Sequence, residues 1–290
     1  MPLVDATDLR WSRQRRATVK ALSGLLDVVL PLRVGAGGPP LFCAPPVVGL
    51  SWCYLALLAV LPPESALYGL QSRALARPEP LPAAMPELAR DFADQIRRTQ
   101  PQGPYRLLGW SLGGTVAFAV AGELEARGHQ VELLAVLDAG PSVDEKLSGG
   151  AEQAWLWYNF VLGDFGYPPL VGPDEAEPEA ATLAVIRSRP GLGLTEWPDR
   201  QILRLLRVIR NNVATARAYR PGRVHCPVLL FAATGSPPST AQKEAAWREV
   251  TDGPVDVIEV ACRHQHLLLP EPLASIGAAL SDRLPAKSDY

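Results

Sequence analysis

Tyr105-Arg106-Leu107-Leu108-Gly109-Trp110-Ser111-Leu112-Gly113-Gly114 reads as three consecutive pieces of backbone. Residues 105–108 are a short apolar run of the kind that forms a buried strand. Residues 112–127 carry a helical pattern, and Gly128 follows as a C-terminal cap. Between them, 109–113 has the form G-x-S-x-G. That pentapeptide is common by chance. A serine on a sharp turn from strand into helix is a much narrower pattern, because such a turn lifts the hydroxyl clear of the sheet. Gly109 and Gly113 remove Cβ atoms that would clash in so tight a turn, and Gly114 lets the helix approach its neighbours. The helix N-terminus brings the Leu112 N–H and a positive dipole end to the same point, which suits a developing oxyanion. Ser111 is therefore the candidate nucleophile.

Outward from this turn, apolar runs alternate with helical patterns. Residues 28–30, 41–43, 66–70, 131–137, 228–232 and 255–260 read as strands. Residues 85–99, with Leu88, Phe92 and Ile96 at helical spacing, and roughly 271–283 read as helices. The β-α-β-α alternation predicts a mostly parallel central sheet with helices on both faces. Residues 142–217 break the rhythm. They hold Trp155, Trp157, Tyr158 and Phe160, an acid-rich stretch at 173–180, and a helix with Ile202, Leu205, Leu206, Ile209 and Val213 on one face. A helical insertion between two strands of such a sheet is in position to act as a lid. Residues 1–24 lack apolar periodicity and read as a linker or arm, leaving 25–290 as one domain.

Composition narrows the function. The chain has 290 residues, 48% of them hydrophobic, enough for a sizeable core. A net charge of −2 gives no electrostatic footprint for nucleic acid. Cys43, Cys53, Cys226 and Cys262 form no C-x-x-C pair, so no metal site is expected, and Cys43 and Cys226 read as buried thiols. The opening MPLVDATDLR is polar, and no run approaches the ~18 apolar residues of a membrane span. A reducing cytoplasm is the expected location, with no membrane association.

A serine nucleophile needs a base and an acid. Of the four histidines, His129 follows the helix cap and His225 precedes a strand. His264 and His266 follow the strand at 255–260, and in sheets of this type reactive groups gather at the carboxyl ends of strands. The chain order Ser…Asp…His also requires a late histidine. The residues leave His264 and His266 as alternatives. For the acid, the strand at 228–232 runs into Thr234-Gly235-Ser236-Pro237-Pro238, without a carboxylate. Asp138 closes the strand after the nucleophile helix. A carboxylate ending a buried strand requires a partner, and a histidine to orient would provide one. Asp138 also fits a turn before Gly140-Pro141, but the empty position elsewhere favours it as the acid.

These residues together resemble the type I thioesterase domains that end nonribosomal peptide synthetases, members of the α/β-hydrolase superfamily. GWSLGG at 109–114 looks like their nucleophile motif. LFC and GLSWCY within 41–54, LYGLQSR at 67–73, GPYRLLGWSLGG at 103–114 and LDAGP at 137–141 are similar to that family in the same order. The resemblance implies an α/β-hydrolase fold with a helical lid insertion, and an acid at Asp138. It implies His264 as the base, because the family's Cys/Gly-x-His…Pro pattern matches Cys262-Arg263-His264…Pro270. It implies an oxyanion hole from the Leu112 and Val47 backbone N–H groups. Where the family commonly has His-Pro-small-Gly-Gly, this chain has Ala44-Pro45-Pro46-Val47-Val48-Gly49. Prolines carry no N–H, so Val47 takes the donor position, and its branched side chain is expected to narrow the site.

What the resemblance further implies is a peptide presented as a phosphopantetheine thioester by a peptidyl carrier protein domain, with no cofactor in the domain itself. Release proceeds through a Ser111 acyl-enzyme, by water or by macrocyclisation. Trp110, Trp155 and Tyr158 are the candidate substrate contacts. Competing readings are a type II editing thioesterase, a free ester or acyl-CoA hydrolase with the same triad, and a binding module impaired by the Pro45-Pro46-Val47 departure.

Overall fold

Strands β1 (Val29–Arg33), β2 (Leu41–Ala44), β3 (Leu67–Leu70), β4 (Tyr105–Trp110), β5 (Val131–Leu137), β6 (Val228–Ala233) and β7 (Val255–Val260) form one seven-stranded sheet. The structure is a computed structural model that describes residues 26–35, 38–143, 152–170 and 178–284. The proposed arm at 1–24 and parts of the 142–217 insertion lie outside the described residues. The strand order is β1-β3-β2-β4-β5-β6-β7. β1 runs antiparallel to β3, and every other neighbouring pair is parallel. The mostly parallel sheet read from the alternation is present, with an antiparallel strand at one edge.

The period of two in a strand divides the core into two layers. On one face Phe42, Leu107, Val136 and Leu230 join a large buried cluster. On the other, Cys43, Leu108, Trp110, Leu137 and Phe231 join a second. β4, β5 and β6 are therefore apolar almost throughout, as strands covered on both faces must be. β7, at the edge, is exposed or half-buried at its four inner positions.

The helices are α1 (Arg73–Ala76), α2 (Met85–Thr99), α3 (Leu112–Ala126), α4 (Glu152–Asp164), α5 (Pro178–Arg187), α6 (Asp199–Ala218), α7 (Thr240–Arg248) and α8 (Pro270–Ser281). In α2 the predicted stripe of Leu88, Phe92 and Ile96 is buried in the larger cluster, while Arg97 and Arg98 sit in the last turn, where the dipole favours cations. Burying Phe92 and Ile96 stabilises the fold by about 1.5–3 kcal/mol each. Gly128 ends α3 with φ +79°, a left-handed turn that glycine adopts without strain. A 3₁₀ segment, Trp52–Ala59, and α8 cover the second face.

Helices α4, α5 and α6 lie in the connection from β5 to β6. Tyr158, Val161, Ile186, Ile202 and Leu206 belong to the same buried cluster as α2 and α3. The inserted helices thus continue the larger core instead of forming one of their own. No helix among the described residues is long and apolar enough to cross a membrane.

Candidate active site

Ser111 sits between β4 and α3 with φ 56° and ψ −133°. This is a left-handed backbone that L-residues with side chains rarely adopt, and it persists only where the surroundings impose it. The Ser111 N–H donates to Leu137 O at 3.1 Å, and the Gly114 N–H donates to Ser111 O at 2.9 Å. The glycines are sterically required. A Cβ on Gly109 would lie 2.0 Å from Gly113 O, and one on Gly113 would lie 2.6 Å from Ala44 O. A Cβ on Gly114 would lie 2.5 Å from the Ala139 Cβ. The turn is therefore locked against β5 on one side and the 44–49 loop on the other.

That loop is fastened to the turn by Tyr54, on the 3₁₀ segment. The Tyr54 hydroxyl donates to Ala44 O at 2.7 Å and accepts the Trp110 N–H at 2.8 Å. Asn212, buried on α6, donates its Nδ2 to Val47 O at 3.0 Å. The Val47 side chain is 1% exposed and belongs to the larger buried cluster. Leu112 is the first residue of α3, so its N–H has no intrahelical acceptor.

Asp138 follows β5 with φ 51°, a conformation that Asp tolerates better than most residues. Its N–H continues the sheet ladder to Phe231 O at 2.8 Å. Its buried carboxylate accepts the His264 Nδ1–H at Oδ2, 2.8 Å away. Oδ1 accepts the Ala233 N–H at 2.9 Å and the Lys243 ammonium at 2.7 Å. Burial acts to raise the Asp138 carboxyl, but the hydrogen bonds from His264, Lys243 and the Ala233 amide outweigh it. The carboxyl is left below its ordinary value, and Asp138 is ionised. With Nδ1 donating to this carboxylate, Nε2 of His264 is the proton-accepting nitrogen.

Of the two late histidines, the structure brings His264 to Asp138. Both lie in one 3₁₀ turn, His264–His266. His129 stacks edge-on against Tyr105, and His225 lies 3.2 Å from Asp252 at the opposite end of β6. Trp110 is nearly fully buried. Its indole N–H donates to His264 O at 3.2 Å, and its ring stacks on the imidazole with centroids 5.7 Å apart. Trp110 thus contacts the histidine rather than presenting an open face. Tyr158 is 0% exposed, and its hydroxyl is held by Glu179 Oε1 at 3.1 Å and Leu206 O at 3.4 Å. These contacts seat it inside the helical layer. Trp155 is half-buried, and its indole N–H meets no acceptor among the described residues.

Lys243, Tyr54 and Asn212, which contact these candidate residues, were given no role by the sequence patterns. One weak signal was available for Lys243: only four of the 28 basic residues are lysines, so each is a departure from the chain's arginine habit. All four cysteines are free thiols. Burial pushes the Cys43 thiol well above its ordinary value. Among the described residues no cluster of three or more His, Cys, Asp or Glu is arranged to hold a metal ion. A cavity of about 620 Å³, lined by Leu75, Arg77, Arg200 and Arg204 among others, includes none of the candidate residues.

Similar proteins agree with this architecture. A family model for the thioesterase domain matches residues 39–280. A dimodular nonribosomal peptide synthase of Bacillus subtilis (strain 168) is 39% identical over 263 residues, covering 89% of this chain and 11% of that protein. The chain therefore spans about a tenth of the length of that relative. Among solved structures, a four-domain nonribosomal peptide synthetase bound to AMP and glycine superposes with a TM-score of 0.78 at 20% identity, covering 89% of this chain and 20% of that one. The NocB thioesterase domain, in covalent complex with a fluorophosphonate nocardicin G analogue, gives a TM-score of 0.59 at 24% identity, covering 87% and 96% of the two chains. At these identities the structural likeness speaks for the fold. With the family match spanning most of the residues, the chain belongs to the thioesterase domain family, built on the α/β-hydrolase fold.

Proposed function

We propose that this domain releases a peptide held as a thioester on a carrier domain, through an acyl-enzyme on Ser111. The supporting observation is the hydrogen bond from His264 Nδ1 to the buried, ionised Asp138, with the imidazole stacked on Trp110, the residue that precedes Ser111 on its strained strand-to-helix turn. In the proposed reaction His264 Nε2 takes the hydroxyl proton as Ser111 Oγ attacks the thioester carbonyl carbon. The Leu112 and Val47 N–H groups hold the oxyanion. The carbon–sulfur bond breaks, and the departing phosphopantetheine thiolate takes the proton from His264. Water, or a nucleophile within the peptide, then attacks the acyl-enzyme by the same proton path in reverse. The burial of the Val47 side chain in the core supports its backbone role, because the branched group is turned into the protein.

The carrier-bound peptide as substrate is supported by the relatives, which are multidomain peptide synthetases. Helices α4–α6 form the proposed lid over the acyl group. Trp155, half-buried on α4, is its proposed contact. Tyr158 supports the layer from within. A cytoplasmic location and an N-terminal linker at 1–24 complete the proposal.

The test is release from a synthetic peptidyl thioester, loaded on a carrier domain or offered free, with mass spectrometry of the product. Preference for the loaded donor and a fluorophosphonate adduct on Ser111 are expected. Equal or better turnover of free esters defeats the carrier-bound substrate. Absence of an adduct in folded protein defeats the acyl-enzyme.

A further inference from the structure

The strand after the helical insertion, β6, ends where many enzymes of this fold carry their acid, and here it carries none. Its loop and the following helix supply other chemistry. Lys243, on α7, is 5% exposed, and its ammonium makes three contacts: Asp138 Oδ1 at 2.7 Å, Ala233 O at 2.9 Å and Ser236 O at 3.1 Å. Ser236 in turn accepts the backbone N–H of His264 on its hydroxyl, at 2.9 Å. The same loop is tied to the histidine loop by Gly235 N–H to Cys262 O at 2.8 Å and Thr234 N–H to Val260 O at 3.0 Å. α7 is anchored at its start by a capping box between Ser239 and Gln242, immediately before Lys243.

We infer that Lys243 and Ser236 are positioning residues for the acid and the base: Lys243 fixes the second carboxylate oxygen of Asp138, Ser236 fixes the main chain of His264, and one ammonium joins the two. The inference rests on the reading of Ser111, Asp138 and His264 as the catalytic set.

The chemistry explains the residue types. A tetrahedral ammonium donates in three divergent directions, as these three acceptors require, whereas a planar guanidinium presents its donors in one plane. A buried cation without a partner is costly, so Lys243 and Asp138 stabilise each other's charged forms. Lys243 also offsets part of the negative charge that Asp138 presents to the imidazole. Among the described residues, the titratable groups around this pair are His264 and Cys262, from the loop after β7. The Cys262 thiol is raised, by burial first and then by Asp138, and stays neutral across the working range.

The ammonium is one of the groups that hold the Asp138 carboxyl below its ordinary value, so removing it strengthens proton binding at Asp138. In Lys243→Met the acidic limb of Ser111 acylation, read by fluorophosphonate labelling rate against pH, is expected to move upward by on the order of one pH unit. The maximal rate is expected to fall roughly ten- to a hundredfold, as a displaced acid misorients the base. Lys243→Arg retains the charge without the geometry, so its limb stays in place while its rate falls. Ser236→Ala slows acylation roughly five- to tenfold with the limb unmoved and KM for a thioester unchanged, and Ser236→Thr restores the rate. A role confined to stability lowers the denaturation midpoint of Lys243→Met and leaves rate and limb at wild-type values, which overturns the inference. Should Lys243→Met fail to fold, wild-type rates in both Lys243→Arg and Ser236→Ala overturn it equally. Asp138→Asn separates the two claims. If it acylates normally, the catalytic set itself is wrong. If it is dead while the Lys243 and Ser236 variants behave as wild type, only the positioning roles fall.

Discussion

Replacing Ser111 by glycine is expected to make the protein more stable than replacing it by alanine. The cause is the backbone at φ 56°, ψ −133°. A residue with a Cβ held there stores about 1–3 kcal/mol of strain. Ser111→Ala keeps the Cβ, and therefore the strain, while removing the hydroxyl. Ser111→Gly removes both, but glycine's freedom in the unfolded chain costs about 0.5–1 kcal/mol. The difference leaves Ser111→Gly ahead by roughly 1 kcal/mol, or about 2–4 °C in melting temperature for a chain of this size. Both variants lack a nucleophile, and both keep the main-chain bonds to Leu137 and Gly114 that hold the turn. Urea denaturation of the pair, with equal m-values, isolates the backbone term. A glycine variant equal to or less stable than the alanine variant would refute the claim that the turn is strained. The elbow would then be a relaxed conformation with no stored cost.

Other expectations follow from the same geometry. His264→Ala should abolish Ser111 labelling while His266→Ala largely spares it, because Asp138 engages His264; the reverse pattern reassigns the base. Asp138 has its carboxyl lowered in the folded state, so its stabilisation is fully present above the unfolded value of about 4 and is lost as pH falls through the lower folded value. The stability advantage of wild type over Asp138→Asn, measured by urea denaturation, should shrink as pH falls below about 4. An advantage that grows as pH falls below about 4 contradicts the sign. Tyr158→Phe should cost about 0.5–1.5 kcal/mol, from the lost hydroxyl contacts to Glu179 and Leu206, with acylation unchanged. A selective rise in KM at unchanged stability would return Tyr158 to the substrate wall.

The parts of the fold legible in the sequence were those whose signals are local. The elbow occupies ten consecutive residues, and its strand, glycines and helix start each restrict the same backbone, so they agree without knowledge of the rest of the chain. The strand at 28–30 was legible as a strand but not as an antiparallel one, since its apolar run carries no information about the direction of β3. His264 and His266 were indistinguishable from the residues alone. They are two apart in a 3₁₀ turn, where neither helical nor strand periodicity assigns a face. Tyr158 and Trp155 lie three apart on α4 and share a helical face by spacing. What separates them is contact with Glu179 and Leu206, on two other helices distant in the chain.

The same distinction explains why the missing acid after β6 was visible while its replacement was not. Absence of a carboxylate from 234–238 is a property of five residues. The meeting of Lys243 with Asp138 joins positions on two different elements, brought together because β5 and β6 are adjacent in the sheet. A lone lysine at the start of a solvent-facing helical pattern reads as surface charge. Only the strand order places it over the end of β5, where burial would make it costly without Asp138. The acid at the end of β5 and the lysine on α7 are therefore one feature of the fold. Moving the acid from the end of β6 to the end of β5 leaves its outer oxygen facing α7, and a cation there satisfies that oxygen without competing for the one that orients His264.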